Sequence, residues 1–333
     1  MSQRLVNAWY KGHWALWLLA PLSFLYGLIS RFRRIAYQQA WFKSQKFNVP
    51  VIVVGNITAG GTGKTPLTLA IVNYLKEQGY KPVIVSRGYG GKTEYPALVT
   101  AQSTPQQVGD EPLLMFLQSQ VPVVVAPKRA EAVAYVMQHH LGDVVICDDG
   151  LQHYALARDI EIAVIDGARG LGNGHFLPQG ALRESAQRLK SVAFVVINGA
   201  GYAYPQAHVM SLKAGECLPV AASSTYNAPV APQKIHAVAG IGNPERFFKQ
   251  LQQQGFDVIT HAFADHHQFS VQDVSFGDAL PVVMTAKDAV KCQGFAVENM
   301  WQMPVEAQLS SNFYRQLSQK LAQVLNPNGN KQC

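Results

Sequence analysis

Residues 51–68, VIVVGNITAGGTGKTPLT, decide the fold of this chain. Four β-branched residues predict a strand that ends at Gly55, and the apolar residues after Pro66 recur at helical spacing. A glycine-rich loop that ends in Gly-Lys-Thr connects the two segments. A strand, a glycine-rich loop, Gly-Lys-Thr and a helix in this order form a P-loop, which binds nucleotide phosphates.

Phosphate chemistry explains each part of this loop. Glycines let backbone N–H groups surround phosphate oxygens, and the N-terminus of the following helix adds partial positive charge. We expect Lys64 to contact the β- and γ-phosphates and the Thr65 hydroxyl to bind Mg²⁺. The strict motif has glycine where this chain has Thr58, so the alternative is a glycine-rich turn that binds nothing. The residues expected to bind ATP are Thr58, Ala59, Gly60, Gly61, Thr62, Gly63, Lys64 and Thr65.

A second motif, DVVICDD at residues 143–149, supports nucleotide binding. An apolar strand that ends in a carboxylate is the Walker B arrangement, whose aspartate holds the Mg²⁺ shell. Asp148 is the first candidate and Asp149 the second. Adjacent side chains of a strand point to opposite faces, so we expect only one of them to face the metal.

Strands alternate with helices to about residue 200, which predicts a doubly wound, mainly parallel α/β sheet. A second, smaller α/β unit is expected after a proline-rich connector. Residues 167–184 are too long and glycine-rich for an ordinary connection and indicate a functional loop. The expected division is a leader (1–48), a P-loop domain (49–204), the connector (205–233), the smaller α/β domain (234–325) and a flexible tail (326–333).

The leader carries the whole net charge of the chain, +7. Its apolar residues 14–30 would span roughly 25 Å as a helix, short of the roughly 30 Å hydrocarbon core, and Pro21 and Gly27 are expected to interrupt it. This composition favours a helix partly inserted in a membrane surface over nucleic-acid binding; the alternatives are a short span or a helix buried against its own domain. A chain starting near Phe47 is expected to keep the P-loop fold and ATP binding. The basic residues of the leader are Arg4, Lys11, Arg31, Arg33, Arg34, Lys43 and Lys46.

Three further side chains are candidate site residues. Arg87 follows a predicted strand in a glycine-loosened turn, at the edge where open α/β sheets bind ligands, and Arg129 begins the helix after the next strand. Both are candidate contacts for an anionic substrate; an exposed loop arginine is the alternative for Arg87. Asp110 is expected to cap a helix. The four cysteines lack CxxC spacing, which indicates a reduced, cytoplasmic protein without a zinc site.

The motifs together resemble one family, the tetraacyldisaccharide 4′-kinases of Gram-negative bacteria. The matching pieces, in the family's order, are GNITAGGTGKTP, SRGYGG, VGDEP, DDGLQH, LPQGALRE, AVAGIGNPERFF, DHHQF and TAKDAVK. They extend from the leader to about residue 292. The family usually has glutamate in the last motif where this chain has Ala286, which weakens any role assigned there.

The resemblance implies a kinase of lipid A biosynthesis that uses ATP and Mg²⁺. The acceptor would be the 4′-hydroxyl of a tetraacylated glucosamine disaccharide 1-phosphate and the product lipid IVA. The resemblance also implies that Asp110 and His266 act together on that hydroxyl, and that the leader presents lipid at the cytoplasmic face of the inner membrane. No nucleic acid or obligate protein partner is indicated. The alternatives are a membrane-attached regulatory or partitioning ATPase, and a soluble kinase of a small metabolite.

Overall fold

The computed structural model describes residues 3–221, 226–265 and 267–326. Two β-sheets form its centre, with helices packed against them. The described α-helices are α1 (Gln3–Lys11), α2 (Ala20–Gln38), α3 (Lys64–Glu77), α4 (Pro105–Val108), α5 (Asp110–Ser119), α6 (Arg129–Gln138), α7 (Pro244–Gln253), α8 (Ala286–Cys292) and α9 (Ser311–Leu325). The strands are β1 (Val51–Gly55), β2 (Pro82–Ser86), β3 (Ala97–Leu98), β4 (Val123–Val125), β5 (Val144–Asp148), β6 (Ile160–Asp166), β7 (Phe194–Asn198), β8 (His208–Ala214), β9 (Leu218–Pro219), β10 (Lys234–Ala239), β11 (Asp257–Ala262), β12 (Val282–Thr285), β13 (Met300–Met303) and β14 (Val305–Gln308).

The larger sheet has nine strands in the order β14-β8-β7-β6-β1-β5-β2-β4-β3. Its inner pairs are parallel, and only the two edge pairs, β14 with β8 and β3 with β4, are antiparallel. The P-loop strand β1 lies between β5 and β6, so the Walker B strand is its direct neighbour. The predicted doubly wound, mainly parallel sheet is confirmed.

Both faces of this sheet are covered by apolar side chains, which explains its uninterrupted β-branched runs. Along β1, Ile52 and Val54 face a core built with α3, α5 and α9, whereas Val51 and Val53 face a core built with α6. All four valine and isoleucine side chains are buried. Because β1 is parallel to its neighbours β5 and β6, the carboxyl ends of these strands lie at one edge of the sheet, where the P-loop begins.

The smaller sheet has the order β11-β10-β12-β13-β9, parallel except for the edge pair β13 with β9. Helix α7 covers one face through Phe247, Phe248 and Leu251. At its centre the Asp288 carboxylate, fully buried, accepts hydrogen bonds from the Gly240 amide (2.9 Å) and the Lys291 ammonium (2.8 Å). The predicted second, smaller α/β unit is thus present.

The end of the chain returns to the larger sheet. Strand β14 pairs with β8, and α9 inserts Phe313, Leu317 and Leu321 into the core that also holds α3. The predicted division into a connector at 205–233 and one unit at 234–325 differs from the structure, in which β8 and β14 are strands of the larger sheet and α9 packs against it. Such pairing joins segments about a hundred residues apart, and periodicity within a segment carries no record of it.

The leader is docked on the folded body rather than detached from it. A 3₁₀ turn, Trp14–Leu19, precedes α2, whose first turn contains Pro21. Proline is tolerated in a first turn, so α2 continues through Gly27 to Gln38, and the expected interruption does not occur. A β-carbon at Gly27 would lie 2.7 Å from the Phe176 ring, which shows how closely the helix approaches residues 167–184.

Candidate functional site

A cavity of about 270 Å³ lies between the carboxyl edge of the larger sheet and the smaller unit. The P-loop forms one wall, and the turn after β10 with the start of α7 forms the opposite wall. We call this cavity the donor cleft. Its charged lining residues are Lys64, Glu111, Asp166, Arg169, Arg246, Asp265 and Lys287.

The predicted nucleotide loop divides into two halves. Residues 61–65 line the donor cleft, with Gly60 (φ +109°) and Gly63 (φ +94°) in the left-handed region that favours glycine. Thr58 and Ala59 instead face away: Thr58 is buried and bridges to Leu182, and the Ala59 amide donates to the Ala181 carbonyl at 2.7 Å. Thr58 and Ala59 thus contact residues 167–184, and their expected contacts with ATP stay predictions.

Lys64 is held at the start of α3 by two oxygens. Its ammonium donates to Asn56 Oδ1 at 3.4 Å and lies 3.6 Å from Asp149 Oδ1. Asp149 is also paired with Arg183 at 3.3 Å. Lys64 and Arg183 together lower the pKa of Asp149 to about 2, against the opposing effect of burial. The site therefore concentrates positive charge at the loop that surrounds phosphates.

Asp148, the last residue of β5, fits the expected Mg²⁺ shell. Its carboxylate is buried and accepts a hydrogen bond from Thr68 Oγ1 at 3.4 Å. Burial, and then the Glu111 carboxylate, raise the pKa of Asp148 to about 7. A buried carboxylate of this kind is stabilised in its ionised form by a divalent cation. Among the described residues, no group of three or more His, Cys, Asp or Glu side chains is placed to hold a metal ion.

Asp149 lies outside the side-chain alternation of β5, and the expectation that only one of Asp148 and Asp149 faces the metal stays a prediction. The chain leaves the strand at Asp149, whose φ of +48° is left-handed. The Asp149 carboxylate pairs with Lys64 and Arg183, whereas the Asp148 carboxylate accepts from Thr68 Oγ1. The alternation rule fails here because it applies only within the extended strand, which ends at Asp148.

Asp110 lies beside the donor cleft rather than in it. It is the first residue of α5, and Gly109 (φ +90°) holds the capping position predicted for Asp110, because a β-carbon there would lie 2.6 Å from the Tyr89 carbonyl oxygen. With Tyr89 and Gln268, Asp110 lines a second cavity of about 230 Å³, which we call the acceptor cavity. His266 lies outside the described residues.

The smaller unit meets the larger one at the donor cleft through polar contacts. Lys287 of α8 pairs with Glu111 (3.0 Å) and with Asp265 (3.5 Å). Arg246 of α7 donates to Asn198 Oδ1 at 3.3 Å, and Asn198 in turn donates to the Thr62 carbonyl of the P-loop at 3.1 Å. The motif around Ala286 thus contributes Lys287 to the boundary of the two units.

The two arginines predicted to bind substrate differ in position. Arg87 is exposed after β2, whereas burial lowers the pKa of Arg129. Arg129 is only 2% exposed, and its guanidinium donates to the carbonyls of Ala126 and Asp148 at 3.0 and 3.1 Å. In this structure Arg129 joins the ends of β4 and β5 and has no face on either cavity.

Residues 167–184 contribute site residues that the sequence analysis left without a role. Arg183 pairs with Asp149, and Glu184 accepts hydrogen bonds from Gln152 (2.7 Å) and Tyr154. Gln152 also donates to the Asn56 carbonyl at 3.0 Å, which ties the turn after β5 to the P-loop. The length and glycine content of this loop indicated function, and LPQGALRE contained Arg183 and Glu184, but the pairing with Asp149 is visible only in three dimensions.

Helix α2 presents its apolar side to solvent. Small residues face the body, where Ser23 and Ser30 donate to the Phe176 and Arg183 carbonyls at 2.8 and 3.1 Å. Residues 14–38 are the one described helical stretch long and apolar enough to cross a membrane. Large apolar side chains of this stretch are at least half exposed at eight positions: Trp14, Trp17, Leu18, Leu22, Phe24, Leu25, Ile29 and Phe32.

Comparison with known proteins gives one consistent result. Residues 15–322 match the family model described as tetraacyldisaccharide-1-P 4′-kinase. A tetraacyldisaccharide 4′-kinase of Tolumonas auensis is 48% identical over 95% of this chain and 97% of its own length, and one of Shewanella oneidensis is 45% identical over 97% and 96%. The crystal structure of LpxK from Aquifex aeolicus in complex with ATP matches 92% of this chain and 99% of its own, with a TM-score of 0.76 and 25% identity.

Proposed function

Since the chain belongs to the tetraacyldisaccharide-1-P 4′-kinase family, we propose that it transfers the γ-phosphate of ATP to the 4′-hydroxyl of a tetraacyldisaccharide 1-phosphate. The product is lipid IVA, an intermediate of lipid A biosynthesis. The observation that carries the proposal is the position of α5. Its consecutive residues Asp110 and Glu111 line the acceptor cavity and the donor cleft respectively, so the two cavities adjoin at the start of this helix.

On the donor side, Lys64 moves from Asn56 and Asp149 to the phosphate oxygens, since phosphate carries more negative charge than either partner. Asp148 and Thr65 would hold Mg²⁺, which would neutralise phosphate charge when bound. Asp149 remains paired with Arg183. Phosphoryl transfer requires mainly positioning and charge neutralisation, and these side chains supply both.

On the acceptor side, Asp110 acts with His266 on the 4′-hydroxyl. The described neighbours of His266 support this assignment, since Asp265 lines the donor cleft and Gln268 shares the acceptor cavity with Asp110. Lys287 pairs with Glu111 and Asp265, the residues next to Asp110 and His266 in the chain. Arg87, exposed on the same edge of the sheet, is a contact for the anionic acceptor.

The leader attaches the enzyme to the cytoplasmic face of the inner membrane. Each large apolar side chain of α2 that enters the bilayer gains roughly 1.5–3 kcal/mol, and each basic residue near an anionic leaflet adds about 1 kcal/mol. The contacts of Ser23, Gly27 and Ser30 with residues 167–184 hold α2 against the body. Because a spanning helix would lose these contacts, we propose that α2 lies in the leaflet without crossing it.

The direct experiment uses labelled ATP, detergent-dispersed tetraacyldisaccharide 1-phosphate and thin-layer separation of the lipids. A labelled lipid that co-migrates with lipid IVA supports the kinase. ATP hydrolysis without labelled lipid would support a regulatory ATPase instead, and transfer to a water-soluble acceptor would support a metabolite kinase.

Membrane attachment can be tested by flotation on anionic liposomes. Replacing Phe24 and Leu28, 69% and 49% exposed, by aspartate should abolish most flotation at low and high salt, because the apolar contribution is lost. Replacing Arg31, Arg33 and Arg34 by glutamine should weaken flotation only at low salt. Val271→Asp, on an exposed apolar residue of the smaller unit, is the control. Unchanged flotation of the Phe24/Leu28 variant would place membrane contact elsewhere.

A further inference from the structure

Arg169 occupies a junction of the leader, the P-loop and the smaller unit. It follows β6 in the loop of residues 167–184, and its amide donates to the Asp166 carboxylate at 3.1 Å. Asp166 is itself buried at the carboxyl end of β6, next to the P-loop strand. This hydrogen bond fixes the backbone of Arg169 beside the donor cleft, which Arg169 lines.

The Arg169 guanidinium reaches all three parts. Its Cζ lies 5.4 Å from the centre of the Tyr10 ring in α1. One Nη donates to the Gly242 carbonyl of the smaller unit at 3.4 Å, and the other lies 3.7 Å from where a β-carbon of Gly60 would be. An arginine this close to the glycines of a phosphate loop is within reach of a phosphate bound there.

The charge of Arg169 has no anionic partner among the residues that the structure describes. Within the described part of the chain, no carboxylate oxygen lies within 4 Å of its guanidinium, unlike Arg158, Arg183 and Arg188. Its partners are a neutral carbonyl and an aromatic ring, which both attract a cation without neutralising it. A half-buried, uncompensated guanidinium beside a P-loop is the arrangement in which an arginine acts in cis on the transferred phosphoryl group.

We propose that Arg169 contacts the terminal phosphate of ATP, and that Tyr10 of the leader positions Arg169 for that contact. The proposal rests on the donor cleft being the ATP site. It gives the leader a role in phosphoryl transfer that is separate from membrane attachment. Tyr10 does not touch substrate and is a positioning residue, whereas Arg169 is a catalytic residue.

The test compares full-length Arg169→Gln, Tyr10→Leu and Tyr10→Phe with the unmodified protein. Two readouts are needed: Kd for mant-labelled AMPPNP and mant-labelled ADP with Mg²⁺, and kcat on detergent-dispersed lipid substrate. Arg169→Gln should lower kcat by about a thousandfold and weaken AMPPNP at least about tenfold, with ADP changed less than about twofold, because only AMPPNP carries the terminal phosphate.

Tyr10→Phe keeps the ring and should behave as the unmodified protein, whereas Tyr10→Leu should lower kcat about three- to tenfold. Adding Tyr10→Leu to Arg169→Gln should cause no further loss, because both act through one contact. Arg315→Gln, an exposed arginine of α9, is the matched control for charge.

Equal weakening of AMPPNP and ADP by Arg169→Gln would overturn the phosphate contact. Equal behaviour of Tyr10→Leu and Tyr10→Phe, or a further loss in the double variant, would overturn the positioning role. Failure of the kinase proposal would give a different result. The unmodified protein would then show no lipid phosphorylation, whereas the comparison of AMPPNP with ADP could still be made.

Discussion

Lys64→Ala should lower kcat at least about a hundredfold, because it removes a fixed positive charge from the transferring phosphoryl group. The structure holds this ammonium between Asn56 and Asp149 at 3.4 and 3.6 Å, at the start of α3. Steady-state kinetics on detergent-dispersed lipid, with thermal unfolding to verify the fold, measures the effect.

Lys76→Ala is the matched control for Lys64. It lies near the end of the same helix, and its ammonium donates to the Ser119 carbonyl at 2.9 Å, away from the donor cleft. We expect normal kcat with a small loss of stability. Near-normal turnover of Lys64→Ala would remove the donor-site assignment altogether.

Asp110→Asn should lower kcat by about a hundredfold or more, with the Kd for ATP unchanged. The substitution keeps the shape of the side chain but removes a carboxylate that can accept a proton from the hydroxyl. His266→Ala should cause a similar loss. If the two act as a unit, the double variant should be no worse than either single one. The readouts are kcat and equilibrium binding of a fluorescent ATP analogue.

Glu94→Gln is the control for the loss of a negative charge. Glu94 is exposed and follows the glycine-rich turn at residues 86–91. If the losses of kcat caused by Asp110→Asn and His266→Ala multiply in the double variant, the two residues have independent roles. A parallel loss of ATP affinity would instead assign Asp110 to the donor cleft.

Local pattern was sufficient for the P-loop, the Walker B strand and the parallel sheet. Each depends on residues close in sequence, such as Gly63 and Lys64, or on burial of a whole strand such as β1. Pattern was insufficient where distant segments meet. The return of β14 to β8, the Arg183–Asp149 pair and the burial of Arg129 depend on three-dimensional neighbours that periodicity does not encode.

The leader shows this limit most clearly. A chain starting near Phe47 was expected to keep its P-loop, but Trp9, only 1% exposed, packs in one cluster with Ala59 of the P-loop and with Ala181. Trp9 also donates to the Pro178 carbonyl at 2.9 Å. Truncation would expose this cluster, so we now expect the shortened chain to lose ATP affinity as well as membrane contact.

The docking of α2 through its small residues also affects how such an enzyme finds its substrate. A rigidly seated helix with an apolar outer side fixes the height and tilt of the active site above the lipid. An enzyme attached to the membrane in the proposed way would search in two dimensions, where encounter depends on molecules per unit area rather than per unit volume. We expect turnover to fall when inert detergent or neutral lipid dilutes the substrate within the surface at constant bulk concentration.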